Sequence, residues 1–135
     1  MAPQQIAFVR QSFAQLMPIA QEVPQMFYKR LFELDPSLRK LFKNDLREQG
    51  EKLLQMLAVA VDVLDRPDIL LPTARQLGAR HEGYGVEAED YQTVGEALLW
   101  TLEQGFGPAF TPDVKQAWTE TYVLLSTVMQ GKQLA

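Results

Sequence analysis

The chain has 135 residues, of which 47% are hydrophobic, enough for one compact domain with a substantial apolar core. It contains no cysteine, which excludes disulfides, thiolate metal sites and cysteine nucleophiles and favours a reducing compartment. Its net charge is −4 and it has no basic stripe, so nucleic acid is not an expected partner. It has no apolar window near the ~18 residues of a membrane span and no signal-peptide pattern, so no membrane partner is expected. We therefore predict one soluble, unprocessed, cytoplasmic domain over residues 1–135.

Two amphipathic helices are predicted in the first quarter of the chain. Apolar residues recur every three or four positions over about residues 4–17, and Pro18 ends this pattern. The second helix runs from about Ala20 to Leu34, with Pro24 tolerable only in its first turn. It buries an apolar set that consists of Val23, Met26, Phe27, Leu31 and Phe32.

A short helix and a long helix follow. Asp35 and Pro36 form a helix start, with aspartate as the cap and proline at the first position. Residues 37–42 allow only one or two turns, and residues 43–45 form a corner before a helix over about residues 46–64. The apolar face of this long helix contains Leu53, Leu54, Leu57, Val61 and Leu64.

The helical pattern resumes after the break at residues 65–68. A helix over Ile69–Arg80 leads into His81, which lies four residues after Leu77 and on the same face. Gly83 and Gly85 predict a loop.

Two further helices complete the chain. The acidic residues 87–90 start a helix that runs to about Gln104, and Gly105 with Gly107 and Pro108 stop it. Thr111 and Pro112 start the last helix. Its buried face carries Val114, Trp118, Tyr122, Leu125 and Val128. Because no segment alternates with a period of two, the fold class is all-α.

His81 is the single histidine of the chain, so a catalytic triad, a histidine-pair zinc site and any multi-histidine metal site are excluded. One axial ligand to a haem iron is still possible, although a lone histidine is also common as a core or surface residue. Leu77 and Val86 would line one side of a cavity with His81. The segment that could form the opposite side carries Phe42, Gln49 and Leu53.

Tyr28 falls on an inward-packing helix, where a buried phenol without a hydrogen-bond partner costs about 1–3 kcal/mol. Gln49 is the candidate neighbour, and a bound gas could accept hydrogen bonds from both side chains. In the alternative interpretation, the Tyr28 hydroxyl reaches solvent and Gln49 is an exposed helix residue. Spacing alone leaves both interpretations open.

Several motifs occur in an order that resembles one family. They are FYKRLFELDPSLRKLF over residues 27–42, then Gln49 and Leu53, LGARHEGYGV over 77–86, DYQTVGEALLWTL over 90–102 and FTPDVKQAWTETY over 110–122. Together they resemble bacterial single-domain globins, the globin module of flavohaemoglobins and neuroglobin-like proteins. The resemblance implies a globin fold of about seven to eight helices in a three-over-three arrangement that encloses one haem b.

The resemblance also implies roles for the candidate residues. His81 would be the proximal iron ligand, and Phe42 would wedge the haem at the corner between helices. Tyr28 would be the distal tyrosine, Gln49 would stand where many globins carry a distal histidine, and Leu53 would lie one turn further over the iron. With no second histidine, the sixth iron position is expected to be open or held by water.

Tyr91 matches a flavohaemoglobin tyrosine that helps to fix the proximal imidazole, and Gln133 falls where that family carries a glutamate. The expected ligands are oxygen and other diatomic gases, for storage, transport or scavenging. The alternative is a nitric oxide dioxygenase, which would depend on a separate reductase because the chain has no flavin or nicotinamide fingerprint. A haemless interaction module is disfavoured because the proximal histidine is present.

Overall fold

The computed structural model describes residues 2–42, 45–83 and 86–131. Within these ranges it contains helices and no strand, which confirms the all-α prediction. The α-helices are α1 (Pro3–Gln15), α2 (Glu22–Leu34), α3 (Leu46–Asp62), α4 (Pro67–Gly83), α5 (Ala88–Phe106) and α6 (Pro112–Met129). Short 3-10 helices cover Met17–Ile19, Pro36–Leu41 and Gly107–Ala109. Over the same part of the chain, every helix falls short of the length and apolar character needed to cross a membrane.

Local capping chemistry sets the starts of several helices. The Asp35 carboxylate accepts a hydrogen bond from the Ser37 backbone N–H at 3.1 Å, and the Thr111 hydroxyl accepts one from Val114 N–H at 3.3 Å. Both predicted caps are therefore confirmed. They satisfy backbone donors that have no partner inside the helix.

The ends of two helices differ from the prediction. Gly105 and Gly107 were both expected to stop the fifth long helix; α5 continues past Gly105 to Phe106 and ends where Gly107 adopts a φ of 54°. This left-handed region favours glycine, so Gly107 is the residue that ends the helix. Similarly, α4 extends to Gly83, which was expected in a loop. The predicted corner at residues 43–44 and loop residue Gly85 lie outside the described residues.

The core is formed where α2 packs on α5, and where α6 contacts α1, α4 and α5. Trp118 of α6 is 2% exposed, and its indole N–H donates to the Ser12 hydroxyl of α1 at 2.8 Å. Ser12 in turn donates to the Phe8 carbonyl at 2.7 Å. The buried polar groups between α1 and α6 therefore have partners, as a stable interior requires.

The backbones of α4 and α6 meet at Gly78. A Cβ atom added to Gly78 would lie 1.9 Å from the Met129 carbonyl oxygen, so only glycine permits this approach. Since Gly78 precedes His81 by one helical turn, the contact fixes where α4 carries its histidine.

Candidate functional site

His81 lies half-buried on α4, and the main chain orients its ring. Nδ1 is 2.8 Å from the Leu77 carbonyl oxygen, one turn earlier in the helix. Because a carbonyl only accepts hydrogen bonds, Nδ1 carries the proton and Nε2 carries the lone pair in the neutral ring. A histidine that donates through one ring nitrogen in this way presents the other to a metal in a fixed orientation.

The backbone after His81 is held as well. The Val86 N–H donates to the His81 carbonyl oxygen at 3.2 Å, which brings half-buried Val86 back to the end of α4. Hydrogen bonds therefore connect Leu77, His81 and Val86 at the end of α4.

Tyr91 lies near the start of α5, and Tyr122 of α6 contacts it. The Tyr122 hydroxyl donates to the Tyr91 carbonyl oxygen. Burial raises the pKa of Tyr122, and the Tyr91 phenol raises it further. Gly95 makes this approach possible, since a Cβ there would lie 2.6 Å from Cε2 of the Tyr122 ring.

Sequence reasoning assigned Tyr122 only to the core of the last helix. The available signal for its contact with Tyr91 was Gly95, which lies one turn after Tyr91 on α5. The glutamate-equivalent position, Gln133, lies outside the described residues.

Tyr28 of α2 is enclosed by aromatic rings and is 5% exposed. Its ring centroid lies 5.1 Å from that of Phe27 and 5.3 Å from that of Phe42, both edge-on, and 6.2 Å from that of Phe32, stacked. Burial raises the pKa of the Tyr28 phenol, so the hydroxyl stays protonated and able to donate. No hydrogen bond of this hydroxyl is found among residues 2–42, 45–83 and 86–131.

Helix α3 approaches Tyr28 closely through Gly50. A Cβ at Gly50 would lie 2.6 Å from Cβ of Pro24 and 3.9 Å from Cε2 of Tyr28. Gln49 is the preceding residue and is half-buried, and Leu53 lies one turn after Gln49 and is also half-buried. The structure thus brings the segment with Gln49 and Leu53 next to Tyr28, without a direct hydrogen bond between Gln49 and Tyr28 in the described part.

The candidate residues fit the haem that the resemblance implies. A haem needs one oriented axial ligand, apolar contacts on its faces and a selected polar group on the ligand side. His81 would provide the axial ligand, and Tyr28 would provide the polar group. Half-buried aliphatic side chains next to the core offer the apolar surface, and they include Leu53, Leu54, Leu57, Val94, Leu99, Leu124 and Leu125.

Comparison with known families and curated proteins gives a consistent result. The globin family model matches residues 25–129. A flavohemoprotein of Bordetella parapertussis is 30% identical over 139 residues, covering 100% of this chain and 34% of the relative. Neuroglobin of Danio rerio is 31% identical over 118 residues, covering 77% of this chain and 74% of the relative. The chain therefore spans about a third of the length of that flavohemoprotein.

A solved structure from Rhodothermus marinus also matches, with a TM-score of 0.86 and 28% identity, covering 97% of this chain and 92% of that one. That protein is an engineered carbene transferase described as a nitric oxide dioxygenase. The agreement over nearly the whole chain confirms the predicted fold.

Proposed function

The chain belongs to the globin family, which implies haem binding, and we propose that it binds haem b through His81 and holds oxygen reversibly beside Tyr28. Haem, when bound, supplies the iron at which oxygen and other diatomic gases bind. The remaining residues that we propose to contact the haem or its ligand are Phe42, Gln49, Leu53, Leu77, Val86 and Tyr91. We propose the cytoplasm as the location, since a cysteine-free chain suits a reducing compartment.

The observation that carries this proposal is the state of the Tyr28 hydroxyl. It lies in an aromatic cage, it is held protonated by burial, and no hydrogen bond of it is found in the described part of the chain. A hydroxyl that donates to no protein group can donate to a ligand. A small ligand with a partial negative charge, such as oxygen, would accept that hydrogen bond.

The surroundings of His81 support the same function. The bond from Nδ1 to Leu77 fixes the tautomer before haem binds and raises the basicity of Nε2. With a single histidine in the chain, we propose that the ligand side stays available to a gas. Gln49 would supply a second donor there, since its amide can rotate toward the same ligand.

An optical spectrum of the purified protein, reduced and then exposed to oxygen, tests the proposal. We expect haem bands that shift on oxygenation and return when oxygen is removed. A colourless protein that takes up no added haem would contradict haem binding. A haem protein whose reduced spectrum is unchanged by oxygen would contradict the gas-binding function alone.

The second candidate function is nitric oxide dioxygenation with a separate reductase. It is favoured by the Rhodothermus marinus structure, which is described as a nitric oxide dioxygenase. In this reaction nitric oxide, oxygen and one electron give nitrate, so each turnover needs an electron from a donor. We propose that a reductase partner would supply it.

Counting nitrate per haem separates the two functions. With oxygen present and no reductant, either protein would convert at most one nitric oxide per haem. When a flavin reductase and a nicotinamide cofactor are added, sustained nitrate formation would support the dioxygenase. Conversion that stops at one per haem, because the oxidised protein accepts no electron from the reductase, would support the oxygen carrier.

A further inference from the structure

Arg39 contacts one ring and the backbone of a second residue among the aromatic residues that enclose Tyr28. It belongs to the 3-10 helix Pro36–Leu41, and its Nη1 donates to the Phe42 carbonyl oxygen at 3.1 Å. Its guanidinium carbon also lies 5.6 Å from the centroid of the Phe32 ring. The Phe42 N–H donates back to the Arg39 carbonyl oxygen at 3.2 Å. Arg39 therefore holds Phe42 through both backbone groups and covers Phe32 at the same time.

The rings of Phe32, Phe42 and Tyr28 each contact the other two. Phe32 and Phe42 meet edge-on at 5.6 Å, and each of them contacts Tyr28. The fourth ring, Phe27, is 4% exposed and anchored in the core. Phe32 and Phe42 are only half-buried, so the side of the cage that they form has fewer constraints from packing.

We propose that Arg39 is a positioning residue of the distal site, which orients the Tyr28 hydroxyl by fixing the rings of Phe32 and Phe42. A guanidinium is planar and carries several fixed donors, so one group can stack on a ring and donate to a carbonyl together. A lysine ammonium keeps the positive charge, but it is not planar and cannot stack on a ring while it donates to a carbonyl. This inference rests on the proposed function, since it assumes that Tyr28 contacts the bound gas.

The oxygen dissociation rate and the carbon–oxygen stretching frequency of the carbon monoxide complex test the proposal. In Arg39→Ala we expect oxygen to dissociate about five-fold faster, a ratio equivalent to about 1 kcal/mol. The stretching band should also shift or broaden, because it reports the hydrogen bond near the gas. Arg39→Lys should behave like Arg39→Ala. Lys40→Ala, an exposed neighbour in the same 3-10 helix, is the matched control and should behave like the wild type.

A double-mutant cycle shows whether Arg39 acts through Tyr28. In a Tyr28→Phe background, we expect Arg39→Ala to change the oxygen dissociation rate by less than about two-fold. The same five-fold effect in that background would overturn the proposal. So would a wild-type rate in Arg39→Lys, or a lowered melting temperature in Arg39→Ala with no change in rate or stretching band. If Tyr28→Phe alone leaves the rate unchanged, the proposed role of Tyr28 fails, and this inference fails with it.

Discussion

Replacing Gly78 by alanine should loosen the attachment of α4 to α6. The new Cβ would lie 1.9 Å from the Met129 carbonyl oxygen and 2.5 Å from its carbonyl carbon. Ordinary van der Waals contact begins at 3.4 Å, whereas the new Cβ would lie 1.9 Å from the Met129 oxygen. The backbones of α4 and α6 must therefore move apart by about 1.5 Å, the difference between these two distances. No side-chain rotation can relieve the contact, because the atoms it meets belong to the main chain of Met129.

The size of the effect follows from two opposing terms. Overpacking of this kind costs about 1–3 kcal/mol, and a contact with backbone falls at the upper end. Alanine in place of glycine within a helix returns about 1 kcal/mol. A net loss of about 2 kcal/mol should lower the melting temperature of the haem-free protein by about 5–10 °C. Because α4 also carries His81, haem should dissociate faster as well.

Thermal unfolding of the haem-free protein and haem transfer to an excess of an apo-globin acceptor measure these two effects. Gly105→Ala in α5 is the matched control, since its Cβ would meet only the flexible side-chain ends of Leu16 and Ile19, at 3.3 and 3.4 Å. We expect this control to match or exceed the wild-type melting temperature. Equal melting temperatures for the two variants, with equal haem transfer rates, would refute the assigned role of Gly78.

Three further predictions concern the site and the surface. His81→Ala should lose haem and the stability that haem confers, about 2.7 kcal/mol at a haem concentration 100 times Kd; full haem retention with an unchanged melting temperature would contradict the ligand assignment. Tyr28→Phe should speed oxygen dissociation by about ten-fold or more, equivalent to ~1.4 kcal/mol, and stopped-flow kinetics would show the effect. A hydrogen bond from Arg10 lowers the pKa of Asp65, so the stabilisation is present above about pH 4 and is lost as the pH falls through the lowered pKa. Melting temperatures of Asp65→Asn and wild type should therefore differ at neutral pH and converge in acid, whereas Glu51→Gln, at an exposed position inside α3, should track the wild type throughout.

Helix starts could be predicted from the sequence because capping is local chemistry. The side chains of Asp35 and Thr111 bond to backbone groups two or three residues away, so neighbouring residues alone determine them. The end of α5 was harder to predict because either of two glycines, Gly105 or Gly107, could end the helix. Gly105 lies next to Leu16, the residue that follows α1, and packing between distant parts of the chain outweighs the weak helix propensity of glycine.

The candidate site also contains both local contacts, which the sequence predicts, and contacts between distant residues, which it does not. The bond between His81 and Leu77 connects residues four apart on one helix, so helical spacing places both on one face. The contact of Tyr122 with Tyr91 joins residues that are 31 apart. Such a contact depends on how α5 and α6 cross, and a single sequence without an alignment does not specify crossing geometry.

The two sides of the proposed haem site are held by different kinds of contact. His81 is oriented by main-chain groups, namely the Leu77 carbonyl, the Val86 N–H and the backbone contact at Gly78. Tyr28 is surrounded by side-chain rings. The two half-buried residues among them, Phe32 and Phe42, contact the solvent-exposed Arg39. Main-chain contacts cannot be altered by most substitutions, whereas ring packing responds to each side chain in it. Ligand release should therefore vary through substitutions on the Tyr28 side, while substitutions that reach the His81 side should affect haem retention first.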